Sequence, residues 1–135
     1  MKALTVQQPY ATLIMEGVKR FETRSWRPPT ARTGGPILVD FAVHAGARFD
    51  KNTPPEIAHI VSWRSYPLGV VLGIAHLVWV YPAEVIRDRE RGNVDELNMG
   101  DFSDGRFAWE LEVVEVFAKP IPAKGKQGLW EWERP

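Results

Sequence analysis

Apolar positions in this chain fall into short runs of two different periods, separated by proline and glycine. Residues 3–6 read as a short strand. In residues 8–17 the apolar side chains of Tyr10, Leu13 and Ile14 recur at helical spacing, which predicts an amphipathic helix. Pro9 suits its first turn, where a missing N–H costs nothing, and Gly17 is a natural stop. Residues 19–26 then alternate, with Phe21 and Thr23 opposite Glu22 and Arg24 on a regular strand. Residues 27–36 carry Pro28, Pro29, Gly34, Gly35 and Pro36, so they read as a loop.

Residues 37–44 predict a strong strand with Ile37, Val39, Phe41 and Val43 on one face. A short helix is expected from about Pro55 to Val61. Residues 69–81, rich in β-branched and aromatic side chains, predict one long central strand. Residues 82–91 read as a short helix, 93–105 as irregular, and 107–117 as a second long strand with Phe107, Trp109, Leu111 and Val113 on one side. A loop over 120–128 leads to a last short strand at 129–132. Strands and helices do not alternate in units of the length a doubly wound nucleotide-binding fold needs. The expectation is one mixed domain over residues 1–135, with a curled sheet or small barrel and a few short helices.

Composition narrows the chemistry. The chain has 135 residues, 44% of them hydrophobic, and no cysteine. Disulfides, thiolate nucleophiles and cysteine-held metal centres are therefore excluded. No run approaches the roughly 20 apolar residues that span a bilayer, and residues 1–5 lack a signal-peptide core, so a soluble, cytoplasmic protein with no membrane partner is expected. The 17 basic residues balance the 17 acidic ones, which argues against coating nucleic acid by bulk charge. The balance is uneven, however. Lys19, Arg20, Arg24, Arg27 and Arg32 form one basic segment, and three lysines between Lys119 and Gly128 form another. Ten acids face four arginines between Glu84 and Glu115. Two basic segments that met in space would make a local anion site.

Neither standard phosphate loop is present. His44, His59 and His76 are far apart and form no metal-ligand pair, so no metal and no cofactor is expected. The serines stand in no nucleophile elbow.

The informative constellation is Gly17, Lys19, Glu22 and Arg24, a G-x-K-x-x-E-x-R pattern across the predicted helix-to-strand turn. Glu22 and Arg24 share a strand face. Lys19 joins them only if it lies before the strand or at a bulge. Gathered together, the three offer an acceptor for an amino group and a bidentate donor for an anion or a base edge. The competing reading of the same residues is a salt-bridge lattice that fixes helix to strand.

This constellation, with Gln8-Pro9-Tyr10-Ala11 before it and the tail Lys124-Gly125-Lys126-Gln127-Gly128-Leu129-Trp130, resembles the ASCH domain, a relative of the PUA domain. The resemblance implies an α+β, PUA-like fold: a small mixed β-barrel of five to six strands with two to three short helices, and a cleft at the motif turn. It also implies binding of single-stranded RNA, a nucleotide or a nucleoside. One branch of the family is an amidohydrolase that deacylates N4-acetylcytidine with a threonine, a lysine and a glutamate. With the lysines aligned on Lys19, the threonine position falls on Glu22, and Thr23 would face the other way, which counts against that activity here. Another branch is associated with RNA cleavage.

The expected ligand-binding residues are Lys19, Glu22 and Arg24 in the cleft, Lys124 and Lys126 at phosphate, and Trp26 or Trp130 as a stacking platform for a base. If the protein is an enzyme, it is a metal-independent hydrolase of nucleosides or RNA, with Lys19 as base or electrostatic stabiliser and Glu22 as acid/base group. A third possibility is a protein-interaction domain whose acidic middle meets a basic partner.

Overall fold

The two-residue period of the strands resolves into a single six-stranded sheet in the computed structural model, which describes residues 1–33, 35–62 and 64–135. Gly34, expected in a loop, lies outside the described residues. In chain order the elements are β1 (Lys2–Gln8), α1 (Tyr10–Met15), β2 (Phe21–Arg24), β3 (Asp40–Phe49), a 3₁₀ turn (Pro55–Ile57), α2 (Ala58–Val61), β4 (Val70–Pro82), α3 (Ala83–Arg89), α4 (Val94–Leu97), β5 (Phe107–Pro122) and β6 (Leu129–Glu131). The strand order is β2-β5-β4-β3-β1-β6. The β1–β3 pair is parallel, while the pairs with β2, β4, β5 and β6 are antiparallel.

The fold is therefore mixed α+β, but the expected barrel is corrected to an open sheet. Among the described residues no pairing joins the edges β2 and β6. Register shifts between Val6 and Gln8, Val43 and His44, and Leu77 and Trp79 bend the strands instead. Each such irregularity kinks a strand and raises its twist, so a sheet can wrap around a core without closing.

Both faces of the central strands are covered. Leu4, Val6, Phe41, Val43, Leu77 and Trp109 pack with Ile14 and Met15 of α1 on one side. Ala3, Ala42, Val71, Ile74, Phe117, Trp130 and Trp132 pack on the other. This is why β3 shows six consecutive buried residues, Phe41–Gly46, rather than an alternation. The strand also starts later and runs further than its pattern predicts. Ile37 and Val39 precede it, 61% and 53% exposed. Residues 93–105, expected to be irregular, include the short helix α4, whose first turn is capped by Asn93 accepting from the Glu96 N–H at 3.2 Å. No helix of the described residues is long and apolar enough to cross a membrane.

Candidate nucleotide-binding cleft

The start of α1 is held from outside the helix. Gln8, buried at the end of β1, accepts from the Thr12 N–H at 3.0 Å and donates to the Thr12 hydroxyl at 2.7 Å and to the Pro67 carbonyl at 2.9 Å. The end of α1 is set by Gly17, at φ +75°, a left-handed conformation that strains residues with a Cβ. Its N–H bonds the Ile14 carbonyl, and the N–H groups of Val18 and Lys19 both reach the Leu13 carbonyl. That turn folds Lys19 underneath the helix before β2 begins. The residue is 2% exposed, and its ammonium donates to the Phe21 carbonyl and lies 3.3 Å from Glu22 Oε1.

Glu22 and Arg24 share a face of β2, as their spacing predicts. Arg24 Nε donates to Glu22 Oε2 at 3.0 Å, and the second guanidinium nitrogen donates to the Thr5 carbonyl at 2.8 Å. Glu22 is thus the centre of a Lys19–Glu22–Arg24 chain. One side of that chain is sealed, and the other opens. Glu22 and Arg24 line a cleft of about 760 Å³, and Lys19 stands behind them rather than in its wall.

The rest of the charged lining comes from two places in the sequence. Arg48 and Asp50 come from the end of β3 and the residue after it, and Asp101 and Arg106 from the segment between α4 and β5. Tyr10, at the start of α1, lies between them and donates from its hydroxyl to Asp50 Oδ2 at 2.8 Å. Burial, and then the bond to Asp50, push the phenol well above its ordinary range, so it stays a neutral donor. Asp101 is held below the usual carboxylate range by the Ser103 hydroxyl and N–H and by the Arg106 charge. Arg106 also donates to the Asp101 carbonyl at 3.0 Å and to the Thr23 carbonyl at 3.3 Å. The Thr23 hydroxyl accepts from the Asp101 N–H at 3.0 Å, which ties β2 to this wall. Glu96, 1% exposed, accepts from the Arg20 N–H at 3.0 Å and anchors α4 to the entry of β2. Burial raises its pKa.

The other sequence-predicted site residues do not line the cleft. Trp26 is half-buried and sets its ring edge against Trp109, with centroids 5.1 Å apart. Trp130 is 7% exposed, and its indole N–H donates to the Thr5 hydroxyl at 3.0 Å. The Thr5 hydroxyl in turn meets His44 Nδ1 at 3.1 Å, and His44 Nε2 meets the Ala123 carbonyl at 2.7 Å. The chain is satisfied throughout when His44 carries its proton on Nε2, so His44 is a buried structural residue. Lys124 and Lys126 are exposed on the loop between β5 and β6. The two basic segments therefore do not converge on the cleft. Its remaining guanidinium groups come from Arg48 and from Arg106 in the acidic middle. Tyr10 is legible in the Gln8-Pro9-Tyr10-Ala11 motif, although its helical spacing marks it as core. Nothing in the sequence pattern singles out Arg48 or Asp50.

A small α+β domain with a polar cleft at a Gly-x-Lys-x-x-Glu-x-Arg turn is the class these observations define. The sequence model described as ASCH domain matches residues 4–121, and the chain belongs to the ASCH domain family. Among solved structures it is similar to the ASCH protein from Zymomonas mobilis, with 16% identity and a TM-score of 0.60, covering 98% of this chain and 87% of that one. Two mutant forms of the same Zymomonas mobilis protein match with TM-scores of 0.58 and 0.51, at 17% and 18% identity. The first covers 98% of this chain and 87% of its own; the second covers 90% and 74%. These likenesses establish the shared fold. A search of curated proteins gave no match.

Proposed function

We propose that this ASCH domain binds single-stranded RNA or a nucleotide in the cleft walled by Glu22 and Arg24, as part of RNA metabolism or modified-nucleoside handling. The observation that carries the reading is the half-open Lys19–Glu22–Arg24 chain. Lys19 holds Glu22 from behind, so the carboxylate is pre-positioned at the cleft wall beside a fixed guanidinium. A carboxylate and a guanidinium held side by side present an acceptor and donors to one base edge, with little ordering left to do on binding. Tyr10 supplies the aromatic face in the cleft that Trp26 and Trp130 do not, because those two indoles are committed to packing. A hydrolase built on Lys19 has less support, since its ammonium is covered and already engaged.

The test is fluorescence anisotropy with a labelled single-stranded RNA hexamer. Arg24→Ala is expected to weaken binding about tenfold, the size of one charge-assisted contact. A Lys124→Ala/Lys126→Ala pair, outside the cleft wall, is expected to leave binding of a single nucleotide unchanged. Melting curves establish that each variant is folded. Wild-type affinity in folded Arg24→Ala contradicts the reading. Turnover of acetylated cytidine or RNA that vanishes in Glu22→Gln replaces it with the hydrolase.

A further inference from the structure

Resting on that reading of the cleft, we infer that its ligand enters with a single phosphate and that Arg48 is the residue that holds it. The inference comes from accounting for each charge around the cleft. Three guanidinium groups line it, Arg24, Arg48 and Arg106, together with three carboxylates, Glu22, Asp50 and Asp101. Arg24 commits Nε and one terminal nitrogen to Glu22 and the Thr5 carbonyl, which leaves its other terminal nitrogen for a base edge. Arg106 is spent on Asp101 and the Thr23 carbonyl. Arg48 is exposed, and among the described residues it has neither an ion-pair partner nor a side-chain hydrogen bond. It is the cleft guanidinium with its full set of donors still to offer, and a phosphate oxygen pair matches that planar fork.

The count also limits how many phosphates fit. The lining groups sum to zero formal charge, and Lys19 behind Glu22 adds one positive charge. A second or third phosphate would have to lie along walls that carry Asp50, Asp101 and Glu22, where like charges repel. The charge count assigns Glu22, Arg24 and Tyr10 to the base and Arg48 to the one phosphate. A terminal monophosphate and the phosphodiester of an RNA strand share this chemistry.

The experiment is calorimetric titration of wild-type protein and Arg48→Ala with the four ribonucleosides, their 5′- and 3′-monophosphates, their 5′-triphosphates and a set of dinucleoside monophosphates. For the wild type, one phosphate is expected to tighten binding about tenfold over the nucleoside, and the triphosphate to add nothing further. In Arg48→Ala the phosphate preference is expected to vanish while nucleoside affinity is kept. Which of the three monophosphorylated forms binds best tells a strand end from an internal nucleotide. Affinity that climbs with each added phosphate, or a preference that survives Arg48→Ala, overturns the inference while leaving the cleft reading intact. Absence of any binding by the wild type overturns both.

Discussion

Two polar chains meet at β1, and they do different work. The Thr5 carbonyl receives Arg24 on the cleft side, while the Thr5 hydroxyl links Trp130 to His44 in the opposite packing layer. Replacing that hydroxyl with a methyl leaves the indole N–H of Trp130 and His44 Nδ1, both on buried residues, without these partners. Thr5→Val, nearly isosteric, is therefore expected to lower unfolding stability by about 1–3 kcal/mol, read by urea denaturation. Individual residues were only partly legible in the sequence. The shared face of Glu22 and Arg24 follows directly from strand period. The burial of Lys19 does not, because nothing in its neighbours predicts that the turn after Gly17 tucks it under α1. Trp130 was open to two readings, since an indole next to lysines can stack on a base or close a core. The hydrogen-bonding hydroxyl that decides the matter sits 125 residues away, on Thr5.

Among the elements, β4 and β5 form the long antiparallel pair on which the rest is hung, and Gly73 of β4 leaves no room for a side chain against β5. A Cβ there would lie 2.2 Å from the Glu115 carbonyl oxygen and 2.7 Å from Met15 Sδ. Backbone cannot yield as a flexible side chain can. Gly73→Ala is expected to cost at least about 2 kcal/mol and to lower the melting temperature by several degrees, measured by circular dichroism. Apart from α4, element types and order were legible, because the long strands alternate with period two and α1 repeats its apolar residues at helical spacing. Boundaries were less so. The alternation of Ile37, Val39, Phe41 and Val43 continues upstream of the strand that uses it, so the pattern places the start of β3 before Asp40. The far end was hidden for the opposite reason. Past Gly46 the buried run gives way to Ala47, Arg48 and Phe49, which lie beyond the predicted strand although they still extend β3. Arg48 and Asp50 reach the cleft by that extension, and this is why no motif revealed them.

Taken whole, the molecule is a bent open sheet with α1 packed against one face, and local pattern is silent on whether such a sheet closes. Closure depends on register shifts distributed over β1, β3, β4 and β5, where the two paired strands advance by unequal numbers of residues. The charge pattern behaves similarly. A neutral total of 17 against 17 proved the better guide to the cleft than the two basic segments did, because the cleft itself balances acids and bases almost one for one. A site of this kind suits a short ligand that brings one phosphate rather than a duplex, whose binding scales with many neutralised phosphates.

The central claim is spatial, and a crystal of the protein soaked with a nucleoside monophosphate tests it most directly. The account predicts the base against Glu22, Arg24 and Tyr10, in the cleft that Lys19 backs. A nucleotide seated instead at the Lys124 and Lys126 loop, with the cleft left to solvent, would contradict it.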